Sequence, residues 1–109
     1  MTDAILTGLA ATIRARRADG AEKSYTRQLL EAGPKQCATK LGEEATETVI
    51  AALAEDDAAL KNEAADLIYH LLVLLEARRI DVADVLAVLA GRMGTSGLDE
   101  KAARADKKS

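Results

Sequence analysis

Five carboxylates fall in two short windows of this sequence, Glu43-Glu44-Ala45-Thr46-Glu47 and Glu63-Ala64-Ala65-Asp66. If both windows are helical, Lys40, Glu44 and Glu47 share one face at separations of four and three residues, with Glu43 on its shoulder. Glu63 and Asp66 are three apart on a second face, and His70 follows Asp66 by four. Leu67, Leu71 and Leu74 adjoin that second strip. The acids therefore lie beside apolar surface that should pack inward, whereas the acids of an amphipathic helix ordinarily face water. Two carboxylates ~5 Å apart repel by about 3 kcal/mol at an effective dielectric of roughly 20. Four of them brought together must protonate, splay apart or bind a cation. An all-oxygen donor set selects a hard ion, Mg²⁺ or alternatively Mn²⁺. A di-iron bundle needs Glu-x-x-His on each of two helices. The only histidine is His70, and the residue three before it is Leu67. The plain alternative is that Glu43, Glu44 and Glu47 form a solvated face, and that Glu63 and Asp66 are early-turn acids favoured by the helix dipole.

The elements that must carry these residues are legible in the local chemistry. Ile5, Leu6, Leu9 and Ile13 predict a helix over about Asp3 to Arg17, ended by the turn signal Asp19-Gly20. Ser24 is placed to cap a short helix through Leu29 and Leu30 that stops at Gly33, read as a left-handed C′ residue. Pro34 then opens a long helix to about Ala54. Asp56-Asp57 breaks that helix and caps the next, about Ala58 to Arg78, with Arg78 and Arg79 suiting its negative end. Nearly everything after Asp66 in this helix is apolar, so it is expected to be buried on most sides. Asp81 caps a last helix through Val82, Val85, Leu86, Leu89 and Met93, which Gly94 ends. So short a connection at Asp56-Asp57 makes the two long helices antiparallel neighbours and brings the acidic pairs level. The fold class is all-α, a bundle of four to five helices, with residues 1–94 as the domain and 95–109 as a polar tail.

Composition bounds the rest. The 109 residues make one domain, and with no Phe or Trp the core must be built from Leu, Ile, Val and Ala. Helices apolar along one side would then need a partner chain, so a homodimer is expected. A formal net charge of −3 and only two tyrosines argue against nucleic-acid binding. The single Cys37 permits no intrachain disulfide, and it reads as a small buried apolar residue. Met1-Thr2-Asp3-Ala4 starts no signal-peptide pattern, and the aliphatic run Leu71 to Leu75 is too short to cross a bilayer. A cytoplasmic protein with no membrane partner is expected.

The two acidic windows match the EExxE…ExxD signature of MazG-like all-α nucleotide pyrophosphohydrolases. Four ordered blocks go further: Ser24-Tyr25-Thr26, Gly33 through Glu44, Ala64 through Leu75, and Arg92 through Ala102 resemble the phosphoribosyl-ATP pyrophosphohydrolase family, from about Leu6 to Arg104. That resemblance implies hydrolysis of the α–β phosphoanhydride of phosphoribosyl-ATP to phosphoribosyl-AMP and pyrophosphate, the second step of histidine biosynthesis. It implies a Mg²⁺-dependent homodimer with interlocked helices, here in a stand-alone form without the cyclohydrolase domain that some relatives carry. By position it makes Glu44, Glu47, Glu63 and Asp66 the metal ligands and puts catalysis on Glu43 and Glu44. Glu43 is either a further ligand or the carboxylate that orients and deprotonates the attacking water. Lys35 and Lys40 are placed to reach a phosphate, and Arg92, Ser96 and Lys101 would close over the substrate with the tail. Without the resemblance, Lys40 reads equally well as an ion-pair partner of Glu44, His70 as a hydrogen-bonded residue beside the site, and Tyr69 as packing.

Two other functions use the same residues differently. A house-cleaning pyrophosphohydrolase of nucleoside triphosphates would share the metal chemistry and differ in pocket and tail. A non-catalytic helical dimer acting as a scaffold would carry the acids as surface charge.

Overall fold

The computed structural model describes residues 2–18 and 24–93. Among them are five helices and no strand: α1 Thr2–Arg17, α2 Tyr25–Ala32, α3 Pro34–Ala54, α4 Asp57–Ala77 and α5 Val82–Arg92. The expected Asp19-Gly20 turn, the Gly94 stop and the 95–109 tail lie outside the described residues.

Local chemistry sets the helix ends. Ser24 Oγ accepts the Arg27 N–H at 3.2 Å, Asp56 Oδ1 the Ala59 N–H at 2.8 Å, and Asp81 Oδ1 the Ala83 N–H at 3.0 Å. Gly33 closes α2 by giving its N–H to the Leu29 and Leu30 carbonyls, and Pro34 begins α3 immediately. Its φ of 96° is positive as expected, but ψ is 173°, outside the left-handed helical well and in a region open essentially to glycine alone. The chain must turn from one helix straight into the next there, which a left-handed cap does not do. At the end of α4, Arg79 at φ 60° donates its N–H to Glu76 O (2.9 Å), and Ile80 donates to Leu75 O (2.8 Å). This is a Schellman closure with arginine in the seat that glycine usually takes.

Helices α3 and α4 are joined through Glu55 and Asp56 alone and pack along each other as a hairpin. Helix α1 lies on α4, α2 wedges between α1, α3 and α4, and α5 packs chiefly on α1. The core gathers Ile13, Leu29, Leu30, Cys37, Leu72, Val73 and Val82, flanked by Leu9, Leu74, Leu75 and Leu86. Full burial of each large aliphatic stabilises by about 1.5–3 kcal/mol. Cys37 is buried as read, its thiol donating to Leu29 O at 3.2 Å, and burial pushes its pKa up.

This core uses the C-terminal half of α4 and the start of α3. It leaves the other half of the hairpin without a covering layer. Val49 and Leu53 of α3 are 57% and 83% exposed, and Ile68 and Leu71 of α4 are 43% and 38% exposed. The expectation that α4 is buried on most sides is thus corrected. Within the chain α4 is covered by α3, α1 and α2, and its buried residues include a charged one, Glu76, at 7% exposure.

Candidate metal centre and active site

The acidic windows meet midway along the α3–α4 hairpin. Thr48, one turn after Glu44, donates its hydroxyl to Glu44 O at 2.7 Å and lies 3.2 Å from Glu63 O across the helix pair. A small β-branched side chain at this point lets the two backbones approach. Glu44 is thereby set opposite Glu63 and Asp66. One carboxylate oxygen from each of Glu44, Glu63 and Asp66 lies within 4.8 Å of the others. Glu47 is not part of this set, although its carboxylate acts on both Glu44 and Glu63.

Electrostatics match that crowding. Burial, then the hydrogen bond and charge of Glu47, push the Glu44 carboxyl above its ordinary range, the effect of His70 opposing. The Glu63 carboxyl is also raised, first by its hydrogen bond with Glu47, then by burial and by the charges of Glu47, Glu44 and Asp66. Glu44 Oε2 and Glu63 Oε2 are buried with no hydrogen-bond partner. Buried polar atoms without partners are rare in folded proteins and ask for an explanation such as an ion. The donor set fits a hard divalent cation.

Other residues named from the sequence fall in different places. Lys40 gives its ammonium to Glu43 Oε1 at 3.0 Å, so its ion pair is with Glu43 three residues on, rather than with Glu44. The reason is tertiary: Glu44 is turned into the interhelical cluster, which leaves the exposed Glu43 as the anion within reach. Glu43 itself is not drawn into the cluster. Lys35 is exposed in the first turn of α3, and Arg92 ends α5. Ser96 and Lys101 lie outside the described residues.

Two tyrosines matter more than their types announced. The Tyr25 hydroxyl is 3.2 Å from His70 Nε2, and His70 Nδ1 is 2.9 Å from Asp66 O. The hydroxyls of Tyr69 and Thr26 hydrogen-bond to each other, so Tyr69 tethers α4 to α2 in addition to packing. His70 is buried and held edge-on by Tyr69, with ring centroids 5.0 Å apart, in keeping with a hydrogen-bonded residue beside the site. Tyr25 and Thr26 stand in one of the resembling blocks, which was the only signal of their part. Thr48 left none beyond a threonine inside a helix. Next to the acids is a cleft of about 310 Å³ lined by Glu47, Ile50, Glu55 and Glu63.

A family model for phosphoribosyl-ATP pyrophosphohydrolase matches residues 6–93. The chain belongs to that family. It is 52% identical over 100 residues to a phosphoribosyl-ATP pyrophosphatase of Cereibacter sphaeroides, the match covering 92% of this chain and 97% of that one. It is 58% identical over 96 residues to one of Nitrobacter winogradskyi, covering 88% of this chain and 83% of the relative. Identity is again 58% over 96 residues with phosphoribosyl-ATP pyrophosphatase 1 of Bradyrhizobium diazoefficiens, covering 88% and 91%. The family match encloses all the clustered acids and both tyrosines, whereas Ser96 and Lys101 fall beyond it.

Proposed function

We propose that this chain hydrolyses the α–β phosphoanhydride of phosphoribosyl-ATP, releasing phosphoribosyl-AMP and pyrophosphate in the second step of histidine biosynthesis. The observation that carries the metal part of this reading is the pair of orphaned buried oxygens on Glu44 and Glu63, facing Asp66. Glu44, Glu47, Glu63 and Asp66 would hold Mg²⁺, with Mn²⁺ as the substitute. When bound, the ion would lower the pKa of water and neutralise charge growing on the phosphate oxygens. Glu43 is the carboxylate that takes the proton of the attacking water as the new P–O bond forms and pyrophosphate leaves. Lys40 holds Glu43 in place until a phosphate arrives, then turns its ammonium to the phosphate and frees the base. Thr48 keeps the two helices in register, so the ligands do not need to reorganise. Lys35, Arg92, Ser96 and Lys101 supply further phosphate contacts.

The protein works as a homodimer. The exposed apolar side chains of Val49, Ile50 and Leu53 on α3 and of Ile68 and Leu71 on α4 support this, because one chain leaves them in water. No helix among the described residues is long and apolar enough to cross a membrane. The lone thiol of Cys37 agrees with a cytoplasmic setting. Pyrophosphate release from phosphoribosyl-ATP, measured with and without Mg²⁺ and beside a panel of deoxynucleoside triphosphates, tests the reading. Mg²⁺-dependent release that favours phosphoribosyl-ATP is expected. Equal or faster turnover of the deoxynucleotides would defeat it.

A further inference from the structure

We infer that Thr48 sets the size of ion that the acidic centre accepts, by tying α3 to α4 at the ligands themselves and so favouring Mg²⁺ over a larger hard ion such as Ca²⁺. The inference rests on the proposed function and adds the choice of cation to it.

A threonine inside a helix commonly returns its hydroxyl to the carbonyl four residues back. Thr12, Thr39 and Thr46 do this, bonding Gly8 O, Lys35 O and Gly42 O at 3.1, 3.0 and 3.1 Å. Thr48 does so too, at 2.7 Å from Glu44 O, but its hydroxyl also lies 3.2 Å from Glu63 O on the other arm of the hairpin. One proton is thus shared between carbonyls of two helices. Those carbonyls belong to the two residues whose carboxylate oxygens are buried without partners. Tie and ligands sit on the same residues, so a change of spacing at the tie passes directly to the site.

The helix pair has little slack at this point. Glu44, Thr48 and Ala51 fall on one face of α3 at separations of four and three, and Ala51 is 0% exposed. A hydroxyl can approach a carbonyl oxygen as closely as Thr48 does because a proton lies between them. A carbon in its place stays at about 3.3–3.6 Å. Exchanging the hydroxyl for a methyl therefore asks the two helices to part by a fraction of an ångström.

That gap is the one an ion would span. Glu44 comes from α3 while Glu63 and Asp66 come from α4, and one oxygen of each lies within 4.8 Å of the others. Mg²⁺ takes oxygens at about 2.0–2.1 Å and Ca²⁺ at about 2.3–2.6 Å, and cavity size and rigidity decide between them. The difference between the two ions is of the same order as the movement that a methyl would force. Holding the helices at the shorter spacing therefore selects the smaller ion.

The test uses the full-length protein freed of metal, with no nucleotide present. Mn²⁺ binding is followed by electron paramagnetic resonance, and Mg²⁺ or Ca²⁺ is then titrated in to displace it, which gives both affinities for each variant. Thr48→Val should weaken Mg²⁺ binding by roughly 10-fold, as for residues that orient metal ligands, with Ca²⁺ binding unchanged or tighter. Thr48→Ser keeps the hydroxyl and should keep the wild-type preference. So should Thr46→Val, which removes an in-helix bond from the exposed side of the same helix. Equal losses of both ions in Thr48→Val overturn the inference and leave Thr48 a structural tie. Unchanged affinities overturn it too, since the glutamate side chains would then absorb the shift. If Thr48→Val fails to fold, Thr48→Ala decides, because it drops the tie without adding bulk: the preference should move the same way, and a wild-type ratio overturns the inference. A wild type that binds neither ion, or binds both as well after Glu44→Gln and Glu63→Gln, defeats the metal centre itself. Binding that needs those glutamates, with an unmoved ratio in Thr48→Val, defeats only this inference.

Discussion

Helix α4 carries inward-turned acid at two places, a buried Glu76 and a half-buried Glu63 beside the exposed Asp66, and the protein treats them in opposite ways. Near its C-terminal end, Glu76 is compensated at every oxygen. Arg14 Nε reaches Oε1 at 3.3 Å, Arg17 Nε reaches Oε2 at 3.0 Å, and Arg17 Nη2 donates to the Glu76 carbonyl at 2.6 Å. Two turns or more toward the N-terminus, Glu63 and Asp66 face Glu44 and Glu47, and two carboxylate oxygens are left without partners. Burying a carboxylate is tolerable when a fixed positive group accompanies it. Glu76 brings such groups from α1 and serves as a clamp between helices. The Glu44–Glu63–Asp66 set has none of its own and depends on what it binds. Acidic residues at helical spacing therefore say little by themselves; the sign of their neighbours separates a strut from a site.

The sharpest way to break this comparison is to make the same substitution in both places. Glu63→Gln or Glu44→Gln should lower kcat for phosphoribosyl-ATP by about 100-fold or more, since each removes a proposed ligand of the ion that supplies the chemistry. Steady-state assays over a range of Mg²⁺ concentrations would check it, and near-normal turnover in either variant would remove these residues from the metal centre. Glu76→Gln should leave kcat close to wild type. Its effect is on stability: a loss of about 2 kcal/mol by urea denaturation, below the usual figure for breaking a buried pair because Arg14 is half-exposed. An unchanged denaturation midpoint would show that the arginines compensate nothing.

The smallest effect is on pH dependence without metal. Glu44 and Glu63 have raised pKa values in the folded chain, so the folded state holds their protons more tightly than the unfolded state. Their contribution to stability is then fully present below the ordinary carboxylate range and is lost as pH rises through the raised values. Relative to a Glu44→Gln/Glu63→Gln double variant, the metal-free wild type should lose Tm on going from about pH 4 to about pH 8. Mg²⁺ should reverse that trend, because a cation favours the ionised forms. A Tm difference flat with pH in metal-free protein would contradict the crowding argument.

Much of the fold was legible because helix ends are decided locally. Ser24, Asp56 and Asp81 cap the helices that they were expected to cap, and the Gly33-Pro34 junction closes α2 and opens α3. The family resemblance is borne out by the match over residues 6–93, which holds three of the four blocks whole and the fourth only at Arg92 and Met93. Pairings between helices were less accessible. The preference of Lys40 for Glu43 over Glu44 depends on which carboxylate the hairpin draws inward. The clamp on Glu76 joins residues 59 and 62 positions apart. Helical spacing reports which residues share a face, but it does not report what that face meets.

Local backbone chemistry and 3.6-residue periodicity were enough for the sequence alone to determine five helices, a hairpin of the two longest and an acidic strip on each of its arms. Those terms involve neighbours a few residues apart and hold in any surroundings. Only the tertiary structure decided that Glu44, Glu63 and Asp66 point at one another, that Glu76 is neutralised by α1, and that Tyr25 meets His70. Charge interaction and hydrogen-bond polarity depend on distance and direction between side chains of different helices, and those exist only once the helices have packed.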